Sequence, residues 1–118
     1  MAAIESVKSK LIEALPDITK AAQGEMSLYS ESKNVRVQIT SAKKVYKSAY
    51  TDFEHLAIEL KPQLAIFVSV NDVIPFNIQS SPCMSYYLHI DDLNERLIDS
   101  IKRLPEANKP ETNKQETF

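Results

Sequence analysis

The sequence predicts an α+β domain: an antiparallel β-sheet of five to six strands with N- and C-terminal helices packed on one face. Three observations lead there. Apolar residues recur at spacings of three and four near each end of the chain, they alternate at period two through much of the middle, and the segments between are too short for parallel crossovers. One face of such a sheet is then left to meet water or a partner.

The first helix is carried by Ile4, Val7, Leu11, Leu15, Ile18 and Ala22, which form one stripe. Pro16 falls inside it, lacks an amide donor and crowds the Ile12 carbonyl, so a kink or a break into two short helices is expected, the unbroken phase of the stripe favouring the kink. Gly24, the only glycine, stands past the stripe where a left-handed cap would end the helix. The period then changes to two. Met26 and Leu28, a polar turn over 30–34, and Val35, Val37 and Ile39 alternating with Arg36, Gln38 and Thr40 read as a hairpin with one wet face. Residues 42–53 fit either a helical stripe (Ala42, Val45, Tyr46, Ala49, Tyr50, Phe53) or a strand, with the balance towards helix.

Leu56, Ile58 and Leu60 alternate as a strand, Pro62-Gln63 supplies a turn, and 64–70 is a nearly continuous apolar run, as a central strand requires. Ile74, Phe76 and Ile78 alternate again, but Pro75 confines this segment to an edge or to partial pairing. A last strand runs from Cys83 to Ile90. Asp91 then reads as the N-cap of a C-terminal helix with its stripe on Leu93, Leu97, Ile98, Ile101 and Leu104, Asp91 and Asp92 at its positive end, Lys102 and Arg103 at its negative end, and Pro105 stopping it. The domain is thus assigned to 1–104. Residues 105–118 hold almost nothing to bury and are expected to form a disordered tail.

Composition excludes several classes. With 118 residues there is room for one domain. Fourteen Lys+Arg against sixteen Asp+Glu give a net charge of -2, so no global field draws the molecule to nucleic acid or anionic lipid. The one cysteine, Cys83, cannot form an intrachain disulfide, which fits a reducing compartment and a cytoplasmic location. The first twenty residues are interrupted by Glu5, Lys8, Lys10, Glu13 and Asp17, so no signal-peptide core is expected, and the longest aliphatic or aromatic run, 64–68, is far short of the roughly 18 residues of a membrane span. A chain with one glycine cannot make a glycine-rich phosphate loop.

The sharpest enzymatic pattern is Asp52 followed by Glu59-Leu60-Lys61. Carboxylates bind a hard divalent cation, and a nearby lysine steadies the charge that develops on phosphate. With Val35-Arg36-Val37-Gln38 and Asp52-Phe53-Glu54-His55-Leu56 around it, this set is faintly similar to the strand rhythm of metal-dependent nucleases, and the resemblance implies a minimal or degenerate Mg²⁺ nuclease. Two features depart from that family: the acids are seven residues apart, too close for two long neighbouring strands, and no Pro-Asp pair precedes them. Glu59 and Lys61 are also what the polar side of an exposed strand would carry. His89, Asp91 and Asp92, with His55, have metal-ligand chemistry, yet Asp91 is already explained as a cap; no metal site or cofactor is assigned. Cys83 as a nucleophile would need a base, and His89, on the same strand parity, lies roughly 20 Å away.

Two binding patterns remain. Lys43, Lys44 and Lys47 interleave with Tyr46 and Tyr50, a mixture that holds phosphate while stacking bases. Tyr86 and Tyr87 are adjacent on one strand and must face opposite sides, so one of them points away from the main core. With no coherent acid–base pair in sight, the sequence points to a non-enzymatic binding protein, an adaptor, inhibitor or chaperone-like partner, acting through protein contacts on a tyrosine-bearing sheet face and with room for a homodimer. A nucleic-acid accessory role for the Lys/Tyr patch is the alternative.

Overall fold

The computed structural model describes residues 2–21, 26–80 and 83–107. The elements in chain order are α1 (Ala2–Leu11), β1 (Thr19–Lys20), β2 (Ser27–Ser30), β3 (Val35–Thr40), α2 (Lys47–Leu60), β4 (Leu64–Ser69), β5 (Asn77–Gln79), β6 (Met84–His89), a 3-10 turn (Ile90–Asp92) and α3 (Glu95–Lys102). The six strands form one sheet in the order β1-β2-β3-β4-β6-β5.

The sheet is mixed. β1, β2 and β3 form an antiparallel meander, and β5 pairs antiparallel with β6, but β4 runs parallel to both β3 and β6. The expectation of a purely antiparallel sheet is corrected here. A parallel pair needs a crossover, and α2 supplies it between β3 and β4. The strand expected at Leu56, Ile58 and Leu60 is the second half of that helix. Three alternating apolar residues are also compatible with helical spacing, and Phe53 and Ala57, four apart, are the residues α2 buries while Ile58 is 51% exposed. Residues 47–53, read as helix, are helical, and 42–46 form the loop before it.

The N-terminal stripe is buried from Ile4 to Ile18, though not in one helix, and its last residue, Ala22, lies outside the described residues. α1 ends at Leu11, whose carbonyl accepts from the Ala14 and Leu15 amides at 3.0 and 2.8 Å as the chain goes into turns ahead of Pro16. The residue before a proline is driven out of the α region, so the helix breaks where a kink was expected. Leu15 and Ile18 are nevertheless fully packed, and Thr19–Lys20 joins the sheet. The expected Gly24 cap lies outside the described residues.

Ile4, Val7 and Leu11 of α1 and Leu97, Ile98 and Ile101 of α3 belong to the same apolar cluster as Val35, Val37, Ile39, Leu64, Ile66, Val68 and Leu88. Side chains alternate across a strand, so Ala65, Phe67 and Tyr87 point the other way, and there they pack with Phe53 and Ala57 of α2. The sheet face expected to stand open is therefore covered over β4 and β6. All six residues of β4 are buried, as its unbroken apolar run requires.

Hydrogen bonds close the ends of these layers. Asp17 accepts from the Ser30 hydroxyl at 2.7 Å and the Ser32 amide at 2.9 Å, tying the α1–β1 connection to the β2–β3 turn. Burial opposes ionisation of this carboxyl, but the bonds from Ser32 and Ser30 prevail and hold it below its ordinary range. Gln63 donates to the Lys33 and Pro105 carbonyls, and the Ala107 amide donates to Ser32 at 2.8 Å, so residues 105–107 are fastened to the same turn. Residues 108–118, the rest of the expected tail, lie outside the described residues. The N-cap of α3 is Asn94, whose side chain accepts from the Leu97 amide at 3.0 Å; the expected cap, Asp91, sits in the 3-10 turn before it.

Because Phe53 faces the sheet and Ile58 faces water, Phe53→Ala should cost about 3–5 kcal/mol. Ile58→Lys should change stability by less than about 0.5 kcal/mol. Urea unfolding followed by circular dichroism measures both, and comparable losses at the two positions would show that α2 does not sit on this face.

Candidate functional site

The candidate binding tyrosines and lysines fall into three separate places. Tyr50 and Tyr87 belong to a buried aromatic cluster with Phe53 and Phe67. Phe67 lies 5.3 Å from Tyr50 and 5.4 Å from Phe53, and Tyr87 meets Phe53 edge-on at 5.3 Å, within the range where ring pairs attract. Tyr87 is only 4% exposed, so it is no contact surface. Its hydroxyl donates to the Glu54 carboxylate of α2 at 3.1 Å. Burial, and then the Glu54 charge, push the Tyr87 hydroxyl up to about 12. Tyr50 is raised as well, by burial and then by the Asp72 charge.

The second place is the entrance to α2. Lys43, Lys44 and Lys47 are exposed, and Tyr46, the N-cap, is 64% exposed and makes no capping bond with its side chain. The first turn of α2 contains no acid. Asp72 reaches this loop from the end of β4 and accepts from the Val45 amide at 2.7 Å, while Asn71 donates to the Ser41 carbonyl at 2.6 Å.

Asp52 and Glu59 both lie on the solvent side of α2, and Lys61 is its C-cap, left-handed at φ 49°. The nuclease pattern wants its E-x-K triplet on a strand, and the helix removes that placement. His55 is exposed on α2, whereas His89 is buried at the end of β6, where its Nδ1 accepts from the Asp91 amide at 3.2 Å and its own amide donates to Asp92 at 3.1 Å. Among the described residues no group of three or more His, Cys, Asp or Glu side chains is placed to hold a metal ion. Cys83 is half-buried, with its sulfur 3.8 Å from the Ser85 hydroxyl.

The third place, which sequence reasoning passed over, is the β5 edge. All three residues of β5 are exposed, and among the described residues its only strand partner is β6. Phe76 and Ile78 are 47% and 51% exposed, and they share a face with Tyr86, which stands opposite Ile78 in register and meets Phe76 edge-on at 6.1 Å. Exposed Met84 continues the same side of β6. Between these residues and Arg96 and Leu97 of α3 runs an open groove of about 360 Å³. The alternation of Ile74, Phe76 and Ile78 was the available signal, but only the placement of β5 at the sheet border shows that Ile74 goes inward while Phe76 and Ile78 stay in water. Tyr86 is the one residue of the tyrosine set that borders this surface.

Over β2 and β3 the Ser27 hydroxyl donates to Gln38 at 2.7 Å and the Arg36 guanidinium lies over Tyr29 at 4.2 Å. The cavity between this half of the sheet and α2 is about 30 Å³, room for a water or two. No helix among the described residues is long and apolar enough to cross a membrane. No protein-family model matches the chain, and comparison with curated proteins and with solved structures gives no match.

The Tyr87 hydroxyl gives the fold a pH signature. An unfolded tyrosine ionises near 10, so stability held by neutral Tyr87 is complete below pH 10 and falls as pH rises towards 12. The loss should reach on the order of 2–3 kcal/mol. Tyr87→Phe should lower stability at neutral pH by about 1 kcal/mol and flatten the decline above pH 10. Melting temperatures across that range decide it; parallel declines for both proteins would remove Tyr87 from the account.

Proposed function

We propose that this chain is a non-enzymatic binding protein, an adaptor, inhibitor or chaperone-like partner, acting through protein–protein contact at its β5–β6 edge. One observation carries the reading: an edge strand, paired among the described residues with β6, stands beside two half-exposed apolar side chains, Phe76 and Ile78. Bare edges invite pairing with another chain, and proteins usually blunt them with charge. Here no Asp, Glu, Lys or Arg occurs from Val73 to Leu88, in a chain that is 25% charged. The opposite edge, β1, carries exposed Lys20. Asn94, Arg96 and Asp92 give the apolar groove a polar rim, the anatomy of a contact surface. A photo-crosslinking residue placed at Ile78 should form protein adducts in the cellular milieu, Phe76→Lys should abolish them in a folded protein, and Tyr46→Ala should not. Adducts unaffected by Phe76→Lys would dismiss this surface.

A second reading rests on a separate observation. Lys43, Lys44, Lys47 and Tyr46 are all exposed at the α2 N-terminus, where the helix dipole adds positive potential. A nucleic-acid accessory role would use this patch. Three neutralised phosphates on a single strand imply a log–log salt slope of about -2, since each contributes about -0.7. Titration of a labelled single-stranded oligonucleotide should yield that slope and lose it in the triple Lys→Ala variant; a response flat in salt eliminates the role.

A further inference from the structure

We infer that the occupant of the β5 edge is a second copy of this chain, joined β5 to β5 in antiparallel fashion about a two-fold axis at Ile78, so that one sheet runs through both copies. The inference rests on the β5 edge being the working surface, and adds to it the identity of the partner.

β5 is exposed at the sheet border, and the backbone groups that an edge strand turns away from its neighbour are met in register by another extended strand. A two-fold axis at Ile78 sets Ile78 against Ile78 of the second copy, and Asn77 against its Gln79. On the face shared with α3 this places an apolar side chain against an apolar one, extending the surface of Phe76, Tyr86 and Met84. On the other face the carboxamides of Asn77 and Gln79 stand side by side, where they can exchange hydrogen bonds. The strand is its own complement. The rim agrees, because the groove carries one acid, Asp92, and one base, Arg96. Two copies therefore meet with both signs present in equal number, whereas a strongly charged partner would find no matching field. The other strand border does not compete: β1 has two residues, and one of them is Lys20. Pairing of β5 with β5 consumes both bare edges, and the assembly closes as a dimer without growing into a fibre.

The full chain in sedimentation velocity over a wide concentration series should show a monomer–dimer equilibrium. Ile78→Lys, which sets like charges against each other across the axis, should raise the dissociation constant by about tenfold or more while leaving the melting curve in place. On a Cys83→Ser background, Ile78→Cys should give a disulfide-linked dimer on oxidation and Lys20→Cys should not. A dimer that persists unchanged in folded Ile78→Lys overturns the β5 geometry. A monomer at every concentration overturns the second copy as occupant; if the crosslinker at Ile78 still captures another protein, the edge remains the working surface, and if it captures nothing, that reading falls too.

Discussion

Everything in this fold hangs on β4 being buried from both sides. A strand with all six residues out of water needs a neighbour on each border and a layer on each face. Its borders are filled by β3 and β6, both parallel to it, so the chain must twice return to the same end of the sheet. The first return uses α2, which at the same time covers Ala65 and Phe67. The second uses β5, which runs back antiparallel to β6. One requirement, the cover of β4, thus determines the placement of α2 and leaves β5 at the border.

The two faces are closed by different chemistry. Under α1 and α3 lies an aliphatic layer in which Leu, Ile and Val dominate. Under α2 lies a small aromatic layer, Tyr50, Phe53, Phe67 and Tyr87, whose one polar demand is met by Glu54 across the helix–sheet boundary. A buried phenol with a carboxylate partner is held neutral, which secures the contact throughout the ordinary pH range. Neither layer fully covers the β5 border, and Phe76, Ile78 and Met84, apolar like the core residues, stay exposed there. Surface of that kind, next to an edge strand, is the ground on which a protein contact is proposed.

Much of the architecture was legible in order along the chain. The hairpin of β2 and β3, the central character of β4, the border position of the Pro75 segment and the burial of the α3 stripe all follow from local periodicity, because each depends on which side chains avoid water. Conformation was less legible than burial. Leu15 and Ile18 are packed as their spacing predicts, yet the chain carries them in turns and not in a helix, since a core constrains where a methyl group goes and is indifferent to the backbone that brings it. Likewise Leu56, Ile58 and Leu60 alternate by coincidence along α2. Of the candidate binding residues, Lys43, Lys44, Tyr46 and Lys47 are exposed, whereas Tyr87 is buried and Tyr50 half-buried, because β4 and β6 bring Phe67 and Tyr87 against α2, a meeting of segments far apart in the chain.

What the sequence determined by itself is the set of residues that must leave water, since hydrophobicity and its period are local properties. It also determined the absence of charge between Val73 and Leu88. Strand direction, the two-sided cover of the sheet and the exposure of β5 were decided only in three dimensions. Parallel pairing joins segments that lie far apart in the chain, and whether an apolar side chain is buried depends on which element arrives to cover it. Phe67 and Phe76 are equally apolar; α2 helps to bury one of them, and the other, against Tyr86, stays half-exposed.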